Sequence, residues 1–510
     1  MDWVKRSGEY TLTDGKSGFS INFAGMNFNG DDIAKMAPDF DKAMKGIADI
    51  EAGKIKNPDE QRKVTHFTDR MAYPASPAFS AVETFAAKII ADGKFDAVVV
   101  NGIGGSALGP QLMQFAINGP YWNELPKSKR NGLKIYFLDN TDSSGFADLL
   151  EVMAPEKTLH LVISKSGGTQ ETKNNMIAME NFYASCGLDF AKCAVAVTML
   201  DSSLYQYAKA NNWLQIFEMA ESIGGRTSET AIVGHLPAAL TGIDFGKFLA
   251  GACDMDLWTR SKENNPALFL AAMWYLAGNG KGDRNMVIVP YSDRLVLLSR
   301  YLQQLVMESL GKELDLDGKV VNQGLNVFGN KGGTDAHAFI QQLNDGRDDF
   351  FATFIEVLHD AKKLEINDGI TMGDYLHGFF EGLSAALRSK GRQTITIRIP
   401  QLTVYELGQI IALYERAVAI YAEFININAF HQPGVQAYKL ATKDVLALRR
   451  KVLAALENKK GFAGDGQAFA DLAGVPERAV EVASLLDKAA LNGGAVSREF
   501  NGKNWIYTIK

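Results

Sequence analysis

The apolar positions of this chain alternate between two textures. Ala97 to Val100, Lys134 to Leu138, Leu159 to Ile163 and Ala194 to Val197 are short runs of strand length. Continuously apolar runs of that length are what strands buried on both faces of a parallel sheet need. Between them, Phe79 to Asp92, the segment ending near Ile117, and Glu171 to Tyr183 carry helical spacing. Strand alternating with helix predicts a doubly wound α/β sheet, with ligands at the carboxyl ends of the strands. The order begins again near Asn264. Leu268 to Leu276 reads as a buried helix, Met286 to Pro290 as a strand and Leu295 to Leu310 as an amphipathic helix. Phe350 to Leu358 and Thr394 to Ile399 read as strands and Thr403 to Phe424 as a long helix.

The expected fold class is therefore α/β, with two doubly wound parallel-sheet domains of three layers (αβα). The expected boundaries are an N-terminal arm over 1–64, a first domain over 65–255, a second over 256–450 and an appended module over 451–510. The arm is expected to pack on the body and to carry no chemistry. In the module, helical segments precede Val496 to Phe500 and Trp505 to Ile509, which flank the turn signal Asn501-Gly502. That order resembles a winged helix. Its acids are matched by its bases, whereas a reader of nucleic acid should be basic, so it is read as structural or interaction surface.

Composition narrows the class. At 510 residues, 46% hydrophobic and 22% charged, the chain is long enough for several ordinary globular domains. A net charge of −6 argues against nucleic acid as a partner. The three cysteines, Cys186, Cys193 and Cys253, are sparse and lack C-x-x-C spacing, which suggests reduced thiols in a cytoplasmic protein. The sequence Met1 to Arg6 lacks the apolar core of a signal peptide. No apolar stretch approaches the ~18 residues of a membrane span. The histidines show no H-x-H or H-E-x-x-H spacing, so no metal site is expected.

Candidate chemistry sits in polar loops after the apolar runs. Ser164-Lys165-Ser166-Gly167-Gly168-Thr169 follows a strand and precedes a helix. Its hydroxyls, its backbone N–H groups and the positive end of the helix dipole suit a phosphate monoester. A polar turn with an N-cap hydroxyl is the other reading. The lysine precedes the glycines, so this is not a nucleoside-triphosphate loop. Gly102-x-Gly104-Gly105-Ser106-Ala107 loosely fits a dinucleotide fingerprint, but the acid closing the next strand, Asp139, lies too far on. The same turn serves a phosphate or sugar hydroxyl equally well. Gly224-Gly225-Arg226 offers a cation on a loop a ligand can approach, or a solvated arginine in a surface turn. Gln304 and Glu308 are four apart on a helix beside apolar Leu305, Val306 and Met307. A carboxylate in such surroundings can serve as general acid or base, although most helical glutamates are solvated. His337 closes a further glycine loop and is suited to proton transfer, although packed or surface histidines are commoner. Pro433-Gly434 marks a turn or helix start, with Lys439 in the first turns that follow.

Taken in order, six motifs carry a resemblance that no single one does. They are Gly102-Ile103-Gly104-Gly105-Ser106-x-x-Gly109-Pro110, Ser164-Lys165-Ser166-x-x-Thr169-Gln170-Glu171, Gly224-Gly225-Arg226, Gln304-x-x-x-Glu308-Ser309-x-Gly311-Lys312, His337-Ala338-Phe339, and Phe430-x-Gln432-x-Gly434-Val435-x-x-x-Lys439. From about His66 to Lys439 the chain resembles the glucose-6-phosphate isomerase (phosphoglucose isomerase) family. The resemblance implies two sugar-isomerase domains and a homodimer with shared active sites. It also implies interconversion of glucose 6-phosphate and fructose 6-phosphate, in glycolysis and gluconeogenesis, without metal or cofactor. By the same resemblance, Ser164, Lys165, Ser166 and Thr169 match the phosphate loop, and Gly105 and Ser106 lie beside the sugar. Glu308 matches the base that moves a proton between C2 and C1, and Arg226 the cation that stabilises the enediolate. His337, lent by the neighbouring subunit, and Lys439 match the residues linked to ring opening, with Gln304 and Gln432 as supporting contacts. Two departures stand out: Thr227 replaces a frequent aromatic, and Ser166 stands where the family often has threonine. A non-catalytic sugar-phosphate sensor of the same fold would keep the hydroxyl loop without needing Glu308, Arg226, His337 and Lys439 together.

The chemistry makes matching demands. Aldose–ketose exchange takes a proton from the carbon next to a carbonyl, and one carboxylate can return it to the neighbouring carbon. The enediolate needs a permanently charged neighbour, which arginine supplies. Opening a cyclic hemiacetal needs an acid and a base at the ring oxygen and its hydroxyl. The phosphate adds binding energy remote from the reacting carbons.

Overall fold

The computed structural model describes residues 2–54, 61–457 and 459–510. It divides into two compact units, Met1–His431 and Gln432–Lys510.

The first unit holds two sheets. One is fully parallel, in the spatial order Lys134–Leu138, Ala97–Asn101, Thr158–Ile163, Ala194–Thr198, Gln215–Glu218. Numbered by sequence this is the order 2-1-3-4-5, which reverses between the strands Ala97–Asn101 and Thr158–Ile163. Such a switch point opens a crevice at the carboxyl ends of the strands. Both strands are buried along their whole length, the physical reason their sequences run apolar without alternation. The helices Pro77–Asp92, Gln170–Ser185 and Ile232–Leu240 pack on this sheet through Val82, Met176, Met179 and Leu236.

The second sheet runs Thr11–Thr13, Ser20–Asn22, Gln393–Ile399, Phe350–Val357, Asn285–Tyr291, Val327–Phe328. Its last four strands are parallel, and Ser20–Asn22 joins antiparallel to Gln393–Ile399. The N-terminal residues thus supply two strands as well as packing on the body. Alternation is present here but hidden, because both faces are buried. Met286, Ile288, Phe351 and Ile355 enter one core. Val287, Val289, Phe350, Ala352 and Phe354 enter the opposite one, covered by Phe380 and Leu387 of the helix Met372–Ser389.

The larger core is centred on the helix Val404–Phe424, started by a Thr403/Glu406 capping box. The helix is buried on nearly every side, by Ala37–Glu51, Phe245–Trp258 and Pro266–Ala277. It also buries Glu415 and Arg416. Arg70 pairs with Glu415 and Asp256 at 2.7 Å each, and Arg416 with Asp256 at 2.8 Å. Charges so far from water persist only as a mutually paired cluster.

The expected amphipathic helix Leu295–Leu310 is not one helix. It is a 3₁₀ turn Asp293–Leu295, a short α-helix Leu298–Leu302 and a π turn Gln303–Glu308. Apolar periodicity cannot report one extra residue per turn, whereas π turns collect at functional positions.

In the second unit, the helices Pro433–Leu456, Gly466–Leu472 and Ala479–Leu491 share a core with a three-stranded antiparallel sheet. Val496–Phe500 and Trp505–Ile509 form the expected hairpin, with Phe500 opposite Trp505 and Gly502 at φ 92°. No helix among the described residues is long and apolar enough to cross a membrane.

Candidate active site

Three loops and the π turn meet at the switch point of the first sheet. The first loop follows Ala97–Asn101. Gly104 takes a φ of 58°, and Gly105 opens the helix Gly105–Ile117. A Cβ on Gly105 would lie 1.8 Å from the Gly225 carbonyl oxygen and 2.9 Å from the Arg226 nitrogen, so only glycine lets the first loop close on the third. Ser106 follows, half-buried.

The second loop follows Thr158–Ile163. Ser164 is buried and its Oγ donates to Thr169 Oγ1 at 3.2 Å. Ser166 is exposed, and its Oγ accepts from the Gly168 N–H at 3.2 Å. Thr169 is the N-cap of Gln170–Ser185 and makes no side-chain bond to the first turn. The loop hydroxyls and the open N–H end of a 16-residue helix therefore share one side of the crevice. Lys165 is used differently from its neighbours. Its Nζ donates to the Ile223 carbonyl at 2.9 Å and to that of Glu221, tying this loop to the segment that leads into Arg226.

In the third loop, Arg226 is buried. Its Nε donates to Ser309 Oγ at 2.7 Å, and its Nη2 donates to the carbonyls of Ala429 and, at 3.3 Å, His431. Its Nη1 lies 3.6 Å from Glu308 Oε2. In place of an aromatic, Thr227 and Ser228 fasten this turn: their hydroxyls donate to the carbonyls of Gly224 at 3.3 Å and Gly225 at 2.6 Å.

The π turn presents Gln304 and Glu308 to different loops. Gln304 Nε2 lies 2.9 Å from where a Cβ on Gly104 would be, and Glu308 faces Arg226. The Glu308 side chain is 20% exposed, and its Oε2 has no hydrogen-bond partner among the described residues. One carboxylate oxygen is thus free of hydrogen bonds beside a fixed guanidinium, while Leu305 and Val306 are buried behind it.

The structure thus brings Gly105, Arg226, Gln304 and Glu308 together, with Ser106 following Gly105 and the Ser164–Thr169 loop joined through Lys165. It does not bring His337 to them. His337 is exposed and lines a separate cavity of about 360 Å³ with Tyr291, Gly333, Phe379 and Leu383. Among the described residues no hydrogen bond or ion pair joins it to Glu308 or Arg226. Gln432 and Lys439 belong to the second unit, Gln432 as N-cap of Pro433–Leu456 and Lys439 exposed on that helix.

Several contributors were given no role by the reading of motifs, Ser309 and Lys312 being named only as members of the Gln304 to Lys312 motif. Ser309 is the acceptor for Arg226, and Lys312 donates from behind the π turn, which needs knowledge of where that helix ends. Arg62, in the arm expected to carry no chemistry, donates to the Phe430 carbonyl at 2.8 Å and to that of Ser222 at 3.4 Å. Nothing local in the sequence signals that long-range contact.

Two α/β sheets, with a crevice of hydroxyls, an arginine and a carboxylate at the switch point of one, define the class. The phosphoglucose isomerase family model matches residues 59–390 and 381–455. The glucose-6-phosphate isomerase of Geobacter sulfurreducens is 46% identical over 507 residues, 95% of this chain and 94% of that protein. Glucose-6-phosphate isomerase 1, chloroplastic, of Arabidopsis thaliana is 45% identical, over 89% of this chain and 76% of its own length. A crystal structure of a glucose-6-phosphate isomerase from Chlamydia trachomatis superposes with a TM-score of 0.79 at 26% identity, covering 87% of this chain and 91% of that one. The chain belongs to the phosphoglucose isomerase family.

Proposed function

We propose that the chain is an aldose–ketose isomerase that interconverts glucose 6-phosphate and fructose 6-phosphate. The observation that carries this reading is the Glu308 carboxylate 3.6 Å from the buried Arg226 guanidinium. In this reading Ser164, Ser166 and Thr169 hold the phosphate with the helix N-terminus, and Lys165 keeps that loop in register with Arg226. Ser106 and the Gly105 backbone lie against the sugar, with Gln304 and Gln432 as supporting contacts. With the ring open, Glu308 removes the C2 proton as the carbonyl at C1 becomes enediolate oxygen. It then returns that proton to C1 as the carbonyl re-forms at C2 and the hydroxyl proton passes from the C2 oxygen to the C1 oxygen. Arg226 holds the negative charge in between; its ties to Ser309, Ala429 and His431 fix it before the charge appears, which is when electrostatic stabilisation is most effective.

His337 and Lys439 act in ring opening, and His337 comes from a partner copy in a homodimer working in the cytoplasm. Its exposure supports that part, as do the exposed Met372 and Phe379, 56% and 57% accessible, the latter lining the same cavity. The deciding experiment is conversion of fructose 6-phosphate to glucose 6-phosphate by the purified protein with EDTA present, beside Glu308→Gln. Turnover by the native chain and a loss of about 10²–10⁴-fold in a folded variant is the expected result. Binding without conversion by the native chain would make it a sugar-phosphate sensor, with Glu308 structural.

A further inference from the structure

We infer that Lys312 is a positioning residue for the proton-transfer base, holding the main chain that carries Glu308 from behind. The inference rests on the proposed role of Glu308 and adds to it a residue that does not touch substrate.

The π turn Gln303–Glu308 ends almost at once: Gly311 N–H still donates to the Met307 carbonyl at 2.9 Å, and Lys312 begins an extended strand. The last carbonyls of a helix have no intrahelical partner. Here two of them belong to Glu308 and to Ser309, the acceptor for Arg226. Lys312 Nζ donates to both, at 2.8 Å each. One side chain therefore fixes the backbone of the base and of the residue that anchors the cation. The arrangement is not a surface convenience, since Lys312 is 4% exposed. Burying an ammonium is costly unless it is well bonded. Burial, and then the neighbouring Arg226 guanidinium, push Lys312 down to about 7, with Glu308 pulling the other way. Neutral lysine still carries two N–H donors, so the clamp survives loss of its charge.

A carboxylate that serves two carbons in turn must be placed to within a fraction of an ångström, and a misplacement of ~1 Å can cost on the order of 100-fold. A clamp on its main chain has a signature that bulk stability does not. If Glu308 is loosened, the proton it carries has more time and room to exchange with water before reaching C1.

The test follows deuterium from [2-²H]glucose 6-phosphate into C1 of the product, with kcat and KM, for the native protein, Lys312→Met and Lys312→Gln, all well below their melting temperatures. Methionine keeps the volume without donors. Glutamine buries no charge but is too short to reach both carbonyls, and stands in if the methionine variant does not fold. The expected result is a kcat lowered about 10- to 100-fold, KM within about two-fold, and less deuterium retained at C1. A folded variant with native kcat and native retention overturns the inference, whatever its melting temperature, and leaves the role of Glu308 untouched. Failure of the native protein to isomerise would instead remove the reading on which the inference rests.

Discussion

Glu229 lies three residues past Arg226 and is 1% exposed, with no hydrogen-bond partner among the described residues for either carboxyl oxygen. Burial, with the nearby Glu415 adding to it, holds this carboxyl well above its ordinary value. An acid held high in the folded state costs nothing while it is protonated in both states. As pH rises past the unfolded value the unfolded chain releases its proton first, so stability falls until the folded value is passed. Glu229→Gln keeps the shape and removes the ionisation. The variant should melt a few degrees above the native protein at about pH 8, with the gap closing as pH falls towards 4.5, the usual glutamate value. Calorimetry across that range checks it, and a gap independent of pH would point to packing instead. At this scale residue type alone left Glu308 and Arg226 with solvated readings and the hydroxyl loop with that of a polar turn, and it was the order of the six motifs that singled them out together. It gave no role to Glu229 or to Lys312, because burial and the end of a helix belong to the surroundings and not to the residue.

Among the elements, the turn at Gly105 packs on the turn at Gly225 with no room for a side chain. Gly105→Ala would put a carbon 1.8 Å from the Gly225 oxygen, so the loop carrying Arg226 must move. Expected are a stability loss of about 1–3 kcal/mol and a clear fall in kcat/KM. Gly145→Ala is the control: nothing lies within 4 Å of a Cβ there, and activity should be unchanged. Seven strands of the two sheets were legible, since apolar runs report burial on two faces, whereas the short edge strands Gln215–Glu218 and Val327–Phe328 went unread. The three-residue strands Thr11–Thr13 and Ser20–Asn22 were not legible either, being too short to show a period. The π turn was hidden for a related reason: apolar spacing at three and four residues looks the same whether or not one turn is widened.

For the whole molecule, the separation of His337 from Glu308 within one chain makes a direct demand. If each site combines one copy's Glu308 with its partner's His337, then Glu308→Gln and His337→Ala homodimers are both impaired, yet their heterodimer contains one intact site. Unfolding and refolding an equal mixture should restore about a quarter of native activity, because half of the dimers are mixed and each has one good site of two. No recovery would place His337 in its own chain's site. The amino-terminal hairpin has a consequence of another kind, in the time order of synthesis. The parallel sheet of the first unit lies wholly within 97–218 and can close as soon as that stretch leaves the ribosome. Ile21 instead pairs opposite Ile397, 376 residues downstream, and at typical elongation rates that is a wait of roughly 20–75 s. Phe19, Ile21 and Phe23, all fully buried in the finished molecule, spend that interval in water or in the hands of a chaperone. The first part of the chain to be made is among the last to find its place.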